Sequence, residues 1–200
     1  MRSKLWLALC MLHAVASMLV WWAGDPLAWQ ATWRADHWVQ RPWTLWTSAW
    51  VHMNTPHLIG NQLAVGALAA MAWLLKPHAG AGAAWLLSWP LMVLCLPLWP
   101  QIGHYAGLSG LVHAAVAIVG LHLVLGEMRI RKAQRWGGML LLGLATKLGL
   151  EGAWHWPVVW SDASDMSIVQ AAHLAGAAVG LVAAGLTLRR HPWMHWVPSR

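Results

Sequence analysis

Gly107-Leu108-Ser109-Gly110-Leu111-Val112-His113-Ala114-Ala115-Val116-Ala117-Ile118-Val119-Gly120 places a serine and a histidine in an otherwise apolar run. A second apolar run holds His173-Leu174-Ala175-Gly176 near its start. A polar or ionisable side chain inside a membrane span costs about 2 kcal/mol or more, so it marks a functional position with a partner to be found. Ser109 and His173 are expected to be each other's partners.

Composition sets the class in which that reading makes sense. The chain has 200 residues, 59% of them hydrophobic and only 10% charged, with a mean hydropathy of +0.50. Such a chain cannot cover a soluble globule with polar surface, and an integral membrane protein embedded in a lipid bilayer is expected. The net charge of +7 could suit nucleic acid. The basic residues, however, are not gathered into a stripe with interleaved aromatics, so no nucleic-acid partner is expected.

A bilayer core of ~30 Å takes about 20 helical residues. On that ruler the candidate spans run over 5–23, 50–74, 84–100, 105–125, 137–156 and 167–188. The predicted class is therefore all-α, a bundle of six transmembrane helices in a single domain, 1–200. Arg2, Lys4, Lys76, Arg129, Arg131, Lys132, Arg135, Arg189 and Arg190 fall on one side of this arrangement, and Asp25, Asp36, Asp162 and Asp165 on the other. The positive-inside rule then puts both termini in the cytoplasm, with Arg34 and Arg41 as exceptions. Arg2, Lys4 and Ala14-Val15-Ala16 imitate a cleavable secretory signal, but the apolar run continues through Val20, Trp21, Trp22 and Ala23, which favours a retained span. Cys10 and Cys95 lie inside predicted spans without CxxC spacing and read as small core residues. There are 19 tryptophans and no phenylalanine; Trp29, Trp33, Trp38, Trp43, Trp46 and Trp50 fit a first outer loop lying in the headgroup layer.

In this topology the second, fourth and sixth spans run from outside to inside. With the fourth starting near Gly103 and the sixth near Ser167, Ser109 and His173 each lie about six residues in, ~9 Å below the boundary. His57 and Asn61 reach a comparable level on the second span. Gly107 and Gly110 flank the serine, and Gly176, Ala177, Gly180 and Ala184 follow His173 as a small-residue ridge of the kind that lets membrane helices approach closely. A serine hydroxyl needs an adjacent base to become a nucleophile, and a neutral imidazole fits that need. Acyl transfer also needs donors aimed at the developing oxyanion, which His57 and Asn61, four apart on one helix face, could supply. No carboxylate is evident at the same level, so a dyad is expected rather than a triad.

These residues resemble the motifs of rhomboid intramembrane serine proteases. The matching segments are His52-Met53-Asn54-Thr55-Pro56-His57-Leu58-Ile59-Gly60-Asn61, Gly107-Leu108-Ser109-Gly110, and Ala172-His173-Leu174-Ala175-Gly176 with Gly180, in the family's order. The resemblance implies Ser109 as nucleophile, His173 as base, and His57 with Asn61 at the oxyanion. Tyr105 to His113 is most similar to the rhombosortase branch, in which a histidine commonly stands four residues after the serine. That likeness implies substrates with a C-terminal Gly-Gly-type tail: a small-residue motif, a span and a basic end. The Trp-Arg pair usual in the first outer loop aligns here with Trp43-Thr44, which departs from the family pattern.

The expected activity is thus a serine endopeptidase cleaving a membrane-anchored protein with a single transmembrane segment, through an acyl-enzyme and with neither metal nor organic cofactor. Its expected place is the bacterial inner membrane, with the site opening to the periplasmic side. Plainer readings stand beside this one. Ser109 could bond a carbonyl one turn back; His13, His113 and His122 could be satisfied interhelical hydrogen-bonders; His52 could hold the outer loop; Asn61 could be packing glue. Lys147 and Glu151 form an i, i+4 pair that either neutralises itself or steadies the fifth helix beside the substrate entry or reads a polar feature of the substrate. Two rival classes are a catalytically silent relative that binds membrane clients, and a metal or haem protein using His52, His57 and His173.

Overall fold

A computed structural model describes residues 3–128 and 130–188. Arg2, Arg129, Arg189 and Arg190, used above to orient the chain, lie outside the described residues. The chain is mostly helical, and each predicted span contains one long helix.

In chain order the elements are α1 (Lys4–Ala23), α2 (Asp25–Ala31), β1 (Trp33–Arg34), α3 (Thr44–Thr47), α4 (Thr55–Leu75), α5 (Ala79–Leu94), β2 (His104–Tyr105), α6 (Ser109–Val124), α7 (Ala133–Glu151), β3 (Val159–Ser161), β4 (Met166–Ile168) and α8 (Gln170–Thr187). Among the described residues, four helical segments are long and apolar enough to cross a membrane: α1, α4, α8, and α5 taken together with the turn that extends it to Leu98. α6 is apolar but has only 16 residues. α7 carries Arg135, Lys147 and Glu151 and is not among the four.

α6 is the central helix, with α5, α7 and α8 packed around it. Its sequence is apolar on all sides, and Leu111, Ala114, Ala115, Ala117 and Ile118 are fully buried, as expected of a helix without a polar face. α1 packs on α4 and α5. Buried tryptophans fasten these helices with both ring and N–H: Trp6 donates to Leu68 O, Trp85 to Leu111 O and Trp89 to Trp46 O, at 3.3, 3.0 and 2.9 Å. A buried indole needs such a partner, which a phenylalanine would not use.

Helix starts carry the corrections. The fourth helix was expected from about residue 105 and the sixth from about 167, but His104–Tyr105 and Met166–Ile168 are short strands, paired respectively with Trp33–Arg34 and Val159–Ser161. The apolar runs pass through these strands, so hydropathy alone cannot locate the helix start. α4 starts at Thr55 rather than at 50, where the span was expected, because Asn54 caps it: Asn54 Oδ1 accepts the His57 backbone N–H at 2.9 Å and Pro56 sits in the first turn.

The segment between α1 and α4 is folded. Trp33 is 1% exposed and packs with Tyr105 and Ile102, whereas Trp29, Trp43 and Trp46 remain exposed. Arg34, an exception to the charge rule, pairs with Asp36 at 3.4 Å and lies 4.5 Å over the Trp29 ring. Thr44, where the resemblance expects arginine, is buried and donates to Arg41 O at 2.7 Å. Cys10 and Cys95 are both free, Cys10 within the core.

Candidate functional site

The small residues expected to form a ridge bring α8 onto α6. A Cβ built on Gly176 would collide with the carbonyl oxygen of Gly110, and one on Gly180 would lie 2.6 Å from Ala114 O. Only glycine permits backbones this close. The contact carries Ser109, the first residue of α6, to His173, in the first turn of α8.

Ser109 Oγ lies 3.0 Å from His173 Nε2, and His173 Nδ1 lies 3.0 and 3.1 Å from the two carboxylate oxygens of Glu151. A carboxylate can only accept here, so the ring proton sits on Nδ1 and is donated to Glu151. That leaves Nε2 to accept from the Ser109 hydroxyl. The expected dyad is therefore corrected to a connected serine, histidine and carboxylate. Glu151 ends α7, and Lys147 one turn earlier also pairs with its Oε1. That i, i+4 pair explained Glu151 on its own terms and hid its second partner, His173. The signal was nonetheless present: Glu151 falls five residues from the outer end of the predicted 137–156 span, the depth assigned to Ser109 from the other direction.

His113 also belongs to the assembly. Its Nδ1–H donates to Ser109 O at 2.7 Å, and its ring stacks on His173 with centroids 4.2 Å apart and planes 11° from parallel. The imidazole of His173 is thus fixed by a hydroxyl, a carboxylate and a flat neighbour. Gln170, with its amide nitrogen turned to the carbonyls, holds Glu151 O at 2.7 Å and Trp156 O at 3.2 Å, tying the end of α7 to the start of α8.

The opposite wall comes from α4. Met53 N–H approaches His57 Nδ1 at 3.4 Å, which leaves the His57 proton on Nε2. That edge rests on Gly107, where a Cβ would lie 2.7 Å from Nε2 and where φ is +123°. Gly107 N–H donates to Ser48 O at 2.9 Å and its carbonyl accepts from Tyr105 at 2.6 Å. His57, Ser109 and His173 face one recess of about 190 Å³, completed by Tyr105, Ser164 and Ser167. Asn61 is buried one turn along α4, and its Nδ2 has no hydrogen-bond partner. Its side chain is not among those lining the recess.

His52 lies beside His57, at the start of α4. It is 7% exposed, its Nδ1 donates to Trp50 O at 3.1 Å, and its ring meets His57 edge-on at 4.9 Å. Burial pushes its pKa down to about 4, against the opposing pull of the Trp50 carbonyl. His13, one of the plainer readings, accepts from Trp50 Nε1 at 3.2 Å, away from the serine.

Ser109 differs from its expected setting in one way that matters chemically. It stands at the N-terminus of its helix rather than six residues in. The first N–H groups of a helix lack intrahelical partners and form its positive end, so the Ser109 hydroxyl stands beside an end that favours negative charge. The hairpin β3–β4 roofs the recess, and Asn54 Nδ2 donates to Ser164 O in the hairpin turn. Donor atoms of His113, Glu151 and His173 lie within 4.8 Å of one another, so these are the residues here that could hold a metal.

No protein-family model matches the chain, and no curated protein matches it.

Proposed function

We propose that the chain is a rhomboid-like intramembrane serine endopeptidase with a Ser109–His173–Glu151 triad. The observation that carries this reading is the hydrogen-bonded line from the Ser109 hydroxyl through His173 to Glu151. In the first step the hydroxyl proton passes to His173 Nε2 as Oγ attacks the substrate carbonyl carbon. The oxyanion meets backbone N–H groups at the start of α6 and His57 Nε2–H; Asn61 Nδ2, which does not line the recess, joins them only on turning toward it. His173 then gives the proton to the leaving nitrogen as the C–N bond breaks. Water attacks the acyl-enzyme by the same route in reverse, restoring Ser109.

Glu151 stabilises the imidazolium that forms and holds its orientation, while the His113 ring keeps it from rotating. Six helices cross the bilayer in this reading, with both termini cytoplasmic: Lys4, Lys76, Arg131, Lys132 and Arg135 mark the inner side, and Asp25, Asp36, Asp162 and Asp165 the outer. The recess opens on the outer, periplasmic side of a bacterial inner membrane. A substrate span reaches it between α4 and α7, which have no substantial contact with each other. The similarity of 105–113 to rhombosortases points to a C-terminal Gly-Gly-type substrate tail. The reaction needs neither metal nor cofactor.

The clustered donors of His113, Glu151 and His173 give a second reading, a metal-dependent hydrolase. Both nitrogens of His173 already have partners in the triad, which favours the serine mechanism. Cleavage of a single-span substrate in detergent separates the readings. The triad predicts that Ser109→Ala and His173→Ala each abolish turnover and EDTA leaves it intact. Equal turnover by the wild type and both variants would remove the triad, and no turnover by the wild type would leave a client-binding relative; loss with EDTA but not with Ser109→Ala would make the metal the catalyst.

A further inference from the structure

A second histidine cluster lies at the inner end of the bundle, outside the proposed chemistry. His78 caps the start of α5, His122 lies in the last turn of α6, and Glu127 follows in the next turn. The positions 109 and 122 are ~20 Å apart along α6, so the cluster is remote from Ser109. We infer that His78, His122 and Glu127 form a binding site for a divalent ion of the Zn²⁺ type, fastening the start of α5 to the end of α6.

The geometry fits such an ion. His78 Nε2 lies 3.3 Å from His122 Nδ1 and 3.5 Å from Glu127 Oε2. Neighbouring donors around a tetrahedral ion with bonds of ~2.0–2.1 Å stand about 3.3 Å apart. The three side chains converge from separate segments and all are buried, those of His78 and Glu127 at 5% and 6% exposure. Two imidazoles and a carboxylate are the donor set of a borderline ion, with one position left for water.

The independent observation is Glu127. Its Oε2 is buried with no hydrogen-bond partner among the described residues, an arrangement that is costly for a carboxylate and is relieved by a cation. Hydrogen bonding within the cluster does not resolve this. His78 Nδ1 accepts from Gly80 N–H at 3.0 Å, so the neutral ring carries its one proton on Nε2, facing both His122 Nδ1 and Glu127 Oε2. One proton serves two acceptors poorly, whereas an ion in its place serves both. Binding moves the His78 proton from Nε2 to Nδ1, with no net proton released, and gives up the Gly80 contact. His122 Nε2, buried without a partner, keeps its proton in either state.

The test uses the full chain in detergent, stripped with EDTA, dialysed and titrated with ZnCl₂, with bound metal measured by elemental analysis and affinity by competition with a chromophoric chelator. The expected result is one Zn²⁺ per chain in the wild type and in His173→Ala, with affinity at least about 10-fold weaker in His122→Ala and in Glu127→Gln. Zn²⁺ should also raise the melting temperature of the wild type and not of Glu127→Gln, a near-isosteric change that keeps the test meaningful if His122→Ala folds poorly. Absence of stoichiometric Zn²⁺, or equal retention by His122→Ala and Glu127→Gln, or loss on His173→Ala instead, would overturn the inference.

Discussion

Glu151 selects which nitrogen of His173 faces the serine, because a carboxylate 3.0 Å from Nδ1 keeps the proton there. In Glu151→Gln the side chain keeps its size, but its amide can donate to Nδ1 and stabilise the wrong tautomer. We expect kcat to fall on the order of 10²–10⁴-fold with KM little changed, as read by steady-state kinetics. An unaltered kcat would reduce Glu151 to a partner of Lys147. Asn61 offers a different separation. Its Nδ2 is buried without a partner, so Asn61→Ala removes an unsatisfied donor and should leave the melting temperature unchanged or higher. As an oxyanion donor it should still slow turnover by up to about 10²-fold; loss of stability with an unchanged rate would identify packing glue. Ser109, His173, His57 and His113 were legible because polar residues stand out in an apolar run. Glu151 was not, since a charged neighbour at i−4 already explained it.

At the scale of elements, the Ser109–His173 contact proposed to be catalytic depends on how closely α6 and α8 approach. Gly176→Val would drive a side chain into Gly110 O and part the helices. A destabilisation of about 1–3 kcal/mol is expected, with a proportionally larger loss of activity because the Ser109–His173 distance opens. Gly185→Ala on the same helix meets nothing within 4 Å and should stay within about 0.5 kcal/mol of the wild type. Parallel unfolding and turnover measurements on the two variants decide this; equal effects would mean that the ridge has no special part. The ridge was readable from the spacing of Gly176, Ala177, Gly180 and Ala184. The starts of α6 and α8 were not, because Ile102, Leu108, Ile168 and Val169 extend the apolar runs through turns and strands whose backbone pairing leaves no mark in hydropathy.

For the molecule as a whole, buried neutral histidine makes stability depend on pH. The His52 pKa is held near 4 against 6.5 in the unfolded chain, so between those values the unfolded state binds more protons and stability falls as pH falls. Thermal unfolding in detergent from pH 7 to pH 4 should show this decline, and His52→Gln should make it shallower; an unchanged slope would place His52 in contact with solvent. The helical class and the sites of the long helices followed from composition and run length alone. The folded segment between α1 and α4 did not: Trp33 is buried by its strand pairing with Tyr105, a contact 72 residues away in sequence that no local pattern signals. All of these features serve one arrangement, an acidic residue, an imidazole and an alcohol joined at the ends of three helices. Labelling the intact protein with a fluorophosphonate, followed by peptide mapping, tests it most directly. The account predicts an adduct on Ser109 that disappears in His173→Ala; a protein that remains unlabelled at Ser109, or labels equally well without His173, would contradict it.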